Sequence, residues 1–510
     1  MLQLSDLRIS DNTQLTLDGV ACVGVIGAIV WAYLRKSDNR LPLPPSPPTW
    51  RLRGHFLPPR YPCLTVARWI DEYGPLITIR SGMQNIVIIG RHKAAVEIME
   101  KQGRVLADRP RLVSAGEILT RGLSLGFSHI GDRLRRLRRA LHTHLQPKSA
   151  ETYQPLQMSQ AKNMILNILD DPRNFQNHAI TFAAATILKV AYGKTTPTSA
   201  TDPEVREVRQ LMSRFRTLLR PGAYWVDTIP WLKYLPWYAP ELRDESKRAT
   251  RLYTDQLNRV KLHMQSNEDS GPSFSKHILE NGQLYGLTEI EMAYLAGGFF
   301  GAGTETTATA ICIVLMAAAR FPEEQAKVQA ELDAVIGGER APTFDDRPSL
   351  PRLEAFISEA LRWRPLAPDG FPHRTTEDVI WENYCIPAGT TVFGNHWAIS
   401  RDPEVYPEPN AFKPQRWIDD QGRLRDDLTF FVFGFGRRVC PGQHVANRSV
   451  FINSLLILWA FQLNLDPTKP QDDMGFAGAF MPNVPCAIEF QPRVPEVELR
   501  RMMQDYPKAE

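Results

Sequence analysis

Cys440 closes a run in which aromatic, glycine and arginine residues recur at fixed offsets: Phe433-Gly434-Phe435-Gly436-Arg437-Arg438-Val439-Cys440-Pro441-Gly442. A cysteine thiolate is a metal ligand, and as the axial ligand of a haem iron it pushes electron density toward O–O cleavage. Such a ligand asks three things of its neighbours. The backbone must wrap closely round the sulfur, which suits glycines free to take positive φ. Fixed amides must tune the thiolate. A cation should meet a haem propionate, and Arg438 is placed for that. The plainer alternative is a glycine-rich turn holding a buried structural cysteine.

A second constellation lies upstream, in Phe299-Phe300-Gly301-Ala302-Gly303-Thr304-Glu305-Thr306-Thr307. The surrounding pattern predicts one long apolar helix from Thr288 to Arg320, stopped by Phe321-Pro322. Gly301, Ala302 and Gly303 remove bulk from one turn, giving the clearance that O₂ needs above an iron. Mid-helix glycines cost about 1 kcal/mol each against alanine, so they call for a reason. Thr306 is then expected to hold an ordered water and Glu305 to pass protons from solvent. The alternative is a close helix–helix crossing, with Thr306 bonded back to its own helix.

The remaining elements must carry these two segments. Residues 76–90 read as two short β runs round a turn. Residues 130–265 are mainly helical, broken near Pro221 and Pro230. Helices are predicted over Glu323 to Val335 and Leu353 to Trp363, strands over Val379–Trp381 and Thr391–Gly394, and a last helix from beyond Cys440 to about Phe461. The expectation is a mainly α body with small peripheral sheets. Glu359 and Arg362, three residues apart, share a helix face, and Phe412-Lys-Pro-Gln-Arg416-Trp417 follows some way on. An arginine run occupies Gly131 to Arg139.

In this order these segments resemble the cytochrome P450 family. The match covers nearly the whole chain, and the Cys440 loop fills all key positions of the family's haem-binding signature. The resemblance implies haem b as cofactor, with Cys440 as the ligand of its iron and Phe433 and Arg438 in the loop. It makes Glu305 and Thr306 the oxygen-activating pair, and Glu359, Arg362 and Arg416 a structural ion cluster behind the loop. It places Arg138 and His373 at the propionates. The chain departs from the family at Leu134, where a tryptophan usually donates its indole N–H. Arg135, Arg136 and Arg139 read as a solvated basic face able to steer an acidic electron donor.

Residues Leu15 to Leu34 form a stretch broken by Asp18, long enough for a membrane span. Arg35, Lys36 and Arg40 follow it, while Asp6, Asp11 and Arg8 precede it, so the body is expected on the cytosolic side. The expected plan is a short lumenal tail (1–14), an anchor (15–34), a basic and proline-rich hinge (35–48) and a catalytic domain (49–510). The prolines of Leu41 to Pro48 suggest a stiff spacer holding the body off the membrane. Six cysteines without a CxxC spacing give no support to zinc or thioredoxin chemistry. A net charge of +4 is too weak to argue for nucleic acid. The sequon at Asn447 sits in an apolar helical pattern and reads as unglycosylated.

These readings imply a monooxygenase of the endoplasmic reticulum membrane, single-pass and cytosolic, acting on a small lipophilic molecule. No Gly-x-Gly-x-x-Gly unit binds a nicotinamide here, so NADPH electrons would come through NADPH–cytochrome P450 reductase, with cytochrome b5 as a second donor. The stretch Tyr224 to Pro236 looks like fungal members, which commonly oxidise terpenoids or polyketides. The rivals are a thiolate-haem isomerase or dehydratase acting on a peroxide, and a non-catalytic haem sensor. By alignment the pocket is lined from Arg111–Leu125, Leu211–Gly222, Tyr294–Ala302, Leu366–Phe371 and Gly475–Met481. Asp369, in a place usually aliphatic, either anchors a substrate group or turns to solvent or local backbone.

Overall fold

The computed structural model describes residues 41–49, 54–82, 84–266, 271–466 and 487–506, with a few isolated positions besides. The predicted anchor, apart from such positions, lies outside the described residues, as do residues 35–40, Cys22, Cys486 and the stretch Gly475–Met481. The longer helices are α1 (Pro62–Tyr73), α2 (Asp132–Leu145), α3 (Gln154–Asp170), α4 (Phe175–Tyr192), α5 (Pro203–Leu218), α6 (Pro240–Gln265), α7 (Phe274–Tyr285), α8 (Glu289–Arg320), α9 (Pro322–Val335), α10 (Pro351–Trp363), α11 (Gln443–Ala460) and α12 (Glu496–Asp505). The strands are β1 (Leu76–Ser81), β2 (Gln84–Ile89), β3 (His373–Arg374), β4 (Val379–Trp381), β5 (Tyr384–Ile386), β6 (Thr391–Gly394), β7 (Phe461–Leu465) and β8 (Ile488–Pro492).

Helix α8 runs through the middle of the body, packed by α4, α5, α6, α10 and α11. Its start is fixed by a capping box: Thr288 Oγ1 accepts from the Glu291 N–H, and the Glu291 carboxylate accepts from the Thr288 N–H. Such caps stabilise a helix by about 1 kcal/mol. Phe321 ends it, because Pro322 opens α9 and cannot continue the ladder. Among the described residues α8 alone is long and apolar enough to cross a membrane, yet its apolar window is 83% buried inside the body. It is the core helix. Buried Gln325 ties its far end down: Nε2 donates to the Ala318 and Leu463 carbonyls, and Oε1 accepts the Leu463 N–H.

One sheet has the order β1-β2-β6-β3, with β2 and β6 parallel and the other pairs antiparallel. Two further hairpins pair β4 with β5 and β7 with β8. The element types and most boundaries agree with the sequence-based expectation. The proline segment does not. The Pro45 carbonyl accepts the Thr78 N–H at 2.7 Å, and the Pro42 carbonyl accepts the Cys385 N–H at 2.9 Å. Pro44 and Pro47 are buried. Proline lacks an N–H but keeps its carbonyl, so this segment serves as an acceptor strip that ties β1 of one sheet to β5 of another. Residues 41–48 are part of the body rather than a spacer that sets it apart.

Candidate active site around Cys440

The Cys440 loop is short because its backbone closes on itself. The Cys440 N–H donates to the Phe433 carbonyl at 2.9 Å, and the Val439 N–H donates to the Gly436 carbonyl at 3.2 Å. Gly434 and Gly436 sit at φ 82° and 49°, in the left-handed region that other residues seldom enter. A Cβ on Gly436 would also lie 2.8 Å from the Met99 carbonyl oxygen. Cys440 is half-buried. Burial pushes its thiol up from the ordinary value, while the Gly442 N–H and Arg138 pull it down. A metal cation on the sulfur would remove the proton outright.

Arg138 reaches the loop from α2, donating to the Val439 carbonyl at 3.2 and 3.3 Å. Arg438 donates to the Ala107 and Ser128 carbonyls. A third arginine joins them that no motif announces. Arg109 is 8% exposed and donates to the Gly126 and Pro372 carbonyls. Burial lowers Arg109 to about 9, helped by Arg438 and Arg138, and lowers Arg438 to about 10. Asp108 is the carboxylate that partly offsets them. Three partly or fully buried cations set close together are costly unless anions meet them. The two propionates of a haem are such anions, and the donor set fits that group.

His373 is buried beside this cluster, and its Nδ1 faces the Leu106 carbonyl at 2.8 Å. A carbonyl only accepts, so Nδ1 carries the proton and Nε2 a lone pair. Burial and Arg109 push the ring down to about 3. A neutral ring in this tautomer offers a propionate no hydrogen, so Arg109 is the better donor there. Leu134 is buried on the same face of α2 as Arg138. Arg135 and Arg139 are exposed, as a solvated face requires. Arg136 is not part of it: half-buried, it donates to the Gly286 carbonyl.

On α8, glycine and alanine divide the work differently from the sequence-based expectation. A Cβ on Gly301 would meet Met212 and Val208 of α5 at 3.0 and 3.1 Å, and one on Gly303 would meet Ile187 of α4 at 2.7 Å. Gly297 is closed by the Tyr253 ring of α6. These glycines let three helices approach, and they do not clear room for O₂. The open positions are Gly298, with nothing within 4 Å of a built Cβ, and the exposed Ala302. With half-buried Thr306 they fall at four-residue spacing along one open face of a helix otherwise largely buried.

Thr306 Oγ1 donates to the Ala302 carbonyl at 2.7 Å, so its hydroxyl bonds back to its own helix. Glu305 is 3% exposed and ion-paired with Arg209 of α5. Its carboxylate is thus buried, and the half-buried Arg209 stands beside it. The Glu359 cluster is as expected and larger. Arg362 pairs with Glu359 through two bonds of 2.7 and 2.8 Å, and Arg416 joins at 3.1 Å. Trp417 Nε1 and the Lys413 N–H complete the carboxylate's partners at 2.9 and 2.8 Å. Arg362 spends its other hydrogens on the Ser400, Pro409 and Ala411 carbonyls.

With a glycine-framed cysteine, a cationic pocket and an open helix face described, comparison with known proteins decides the family. The cytochrome P450 family model matches residues 44–490. The chain belongs to the cytochrome P450 family. It is 46% identical over 482 residues to cytochrome P450 monooxygenase 113 of Postia placenta, covering 94% of this chain and 97% of that one. Cytochrome P450 monooxygenase 64 of the same fungus is 46% identical over 480 residues, with 94% and 97% covered. A cytochrome P450 monooxygenase of Armillaria gallica is 34% identical over 467 residues, covering 88% and 89%. The chain is accordingly an oxidoreductase of the P450 monooxygenase type, and haem iron is the cofactor its family implies.

As a P450, the chain brings Cys440, Phe433, Arg438 and Arg138 together, with His373 beside Arg109. Leu112, Leu219 and Phe371 line one small cavity with Arg109 and Phe127, so three of the five predicted pocket stretches meet. Asp369 lies close enough to Cys63 to push that thiol up, which puts it by the start of α1. Sequence reasoning missed Arg109 and Arg209. Arg109 stands among other charged residues, Arg104, Asp108 and Arg111, so nothing local marks it, and no spacing ties it to Cys440.

Proposed function

We propose that this P450 inserts one atom of O₂ into a small lipophilic molecule, with NADPH electrons delivered by a separate reductase. The observation that carries the reading is the open face Gly298–Ala302–Thr306 with Glu305 beside it. Haem held by Cys440 supplies the O₂-activating iron, and Arg109, Arg138 and Arg438 are the residues proposed to hold its propionates. Thr306 is placed to position a water or a proton, by turning its hydroxyl from the Ala302 carbonyl toward the cavity. Glu305 is placed to supply that proton once its pairing with Arg209 loosens. The mostly apolar predicted pocket stretches favour a lipophilic substrate, and the likeness of Tyr224–Pro236 to fungal members makes a terpenoid or polyketide class the first to try. Thr306→Ala should keep the substrate-induced spectral change and divert most NADPH electrons to peroxide. A variant with wild-type product per NADPH would remove the role given to Thr306, and turnover with peroxide alone would favour the isomerase reading.

Attachment to the endoplasmic reticulum membrane, with the body cytosolic, is part of the same proposal. It rests on the apolar stretch Leu15 to Leu34 and its flanking charges. The body adds Trp225, Trp231, Tyr234 and Trp237, exposed by 54 to 76%. Phe56 is exposed as well, in the segment that Arg220 bonds through the Pro59 carbonyl. Exposed aromatics on one edge suit a membrane interface. Deleting residues 1–36 should weaken sedimentation with microsomes and leave haem incorporation intact. Full-length protein that stays in the supernatant would contradict the assignment.

A further inference from the structure

Gly436 stands four residues before Cys440, and its surroundings are supplied by a segment that no motif marks. Residues Ala95–Glu100 are wound as a π-helix, continued by the Lys101 N–H donating to the Val96 carbonyl. Such wide turns are uncommon and recur at functional sites. Here the turn ends under the Cys440 loop. Gly436 and Gly103 meet backbone to backbone: a Cβ on either would lie 3.1 Å from the other's Cα. In that contact Glu100 Oε1 accepts the Gly436 N–H at 3.0 Å. The Gly103 N–H caps the same turn on the Glu100 carbonyl at 3.1 Å.

The geometry points to Glu100 as a positioning residue for the thiolate ligand, acting through Gly436. Gly436 opens the 3₁₀ turn Gly436–Arg438. Its carbonyl receives the Val439 N–H, and Val439 in turn offers its carbonyl to Arg138. Arg438, at the end of the turn, reaches Ala107 and Ser128. A shift at Gly436 therefore moves the attachments of two of the three propionate arginines, Arg138 and Arg438, and the residue next to Cys440. The Gly436 N–H is the one backbone donor of this turn that a side chain from elsewhere in the fold receives. A carboxylate is the strongest acceptor a side chain can offer to an amide. A small residue at 103 and an acceptor at 100 are both needed: the first lets the loop approach, and the second fixes its height.

This inference rests on Cys440 as the haem ligand, and the test separates the two. The holoenzyme is compared as wild type, Glu100→Ala and Glu100→Gln. Amide exchange of the 433–440 peptide should rise about tenfold to a hundredfold in Glu100→Ala, as expected for losing a hydrogen bond to a charged acceptor. The reduced CO adduct of that variant should show a smaller thiolate-type Soret band. Glu100→Gln keeps an acceptor oxygen and should lie nearer wild type in both. Exchange in α8 serves as the control for general loosening and should stay unchanged. Wild-type exchange and an unaltered Soret band in Glu100→Ala would overturn the role, as would a Gln variant as damaged as Ala, or α8 loosening by the same factor. Absence of the thiolate-type band in wild type would instead overturn the Cys440 assignment beneath it.

Discussion

The Cys440 loop and the segment Val113–Leu119, called the lid below, are built on opposite terms. Around Cys440 nearly every polar group has a fixed partner drawn from rigid elements: Phe433, Glu100, Arg138, and the carbonyls of Ala107 and Ser128. The lid brings residues 113–119 against the short turns Trp225–Asp227 and Pro230–Tyr234. Val113, Ile118 and Leu119 pack with Val226 and Leu242 in a buried apolar cluster, and side-chain ties add to it. Ser114 donates its N–H and hydroxyl to Asp227 at 2.9 and 2.6 Å, and Lys233 pairs with Glu117 at 2.6 Å. The loop is held mainly by hydrogen bonds that fix its backbone, the lid by apolar packing and side-chain pairs.

Cys440→His strikes the rigid side at its centre and should have the largest effect: the thiolate-type Soret band of the reduced CO adduct disappears. Its survival would show that another residue is the ligand. Next comes Glu359→Ala, which leaves Arg362 fully buried without its partner. Breaking a buried pair from one side costs about 3–5 kcal/mol. Urea unfolding should show a loss of that order, and a loss below 1 kcal/mol would mean that water reaches the cluster. No single lid substitution should approach either effect.

Arg109→Ala tests the seam between the two regions. Transfer of haem to an excess of apo-haem acceptor should speed up by about tenfold or more, the scale of one charge-assisted hydrogen bond. Arg138→Ala should do likewise, since Leu134 offers no indole to share the load. Leu134→Trp should slow transfer if the ring fits. Arginine variants that lose haem at the wild-type rate would return the cluster to a purely structural role.

The smallest effects are set by pH, and the two regions should answer with opposite sign. His396 is buried with its ring against Phe430 and Phe435, and burial pushes it from 6.5 down to about 4. The unfolded chain takes up this proton first. The histidine's contribution is thus complete above pH 6.5 and is lost on acidification toward 4, by up to about 1.4 kcal/mol per pH unit. Burial raises Asp227 above its ordinary 3.8, so there the fold holds the proton more tightly. Its contribution is complete below 3.8 and is lost as pH rises through the raised value. His396→Phe should flatten the acid limb of urea midpoints. Asp227→Asn should abolish any gain in lid protection at low pH, after correction for intrinsic exchange rates. Equal signs in both regions would break the contrast.

The same contrast explains what could be read from sequence. The Cys440 loop is contiguous, and its turns demand glycine at given offsets, so backbone geometry leaves its mark on a ten-residue string. Helix α8 was legible from its apolar pattern and its proline stop. The lid ties join residues far apart in the chain, Ser114 with Asp227 and Glu117 with Lys233, and any of several side chains could serve, so no local pattern forms. Arg109 and Glu100 stayed hidden for that reason too. The glycines of α8 were seen and misassigned, because a string shows that bulk is missing without showing on which side.

That side determines where this enzyme's lineage can change. Glycines 297, 301 and 303 each press on a different helix, so one added methyl there displaces a neighbour. Position 298 is open, and alanine there would even favour the helix by about 1 kcal/mol. Size can therefore change at 298 and 302 one methyl at a time, while 297, 301 and 303 keep the helix packing the same across the variants.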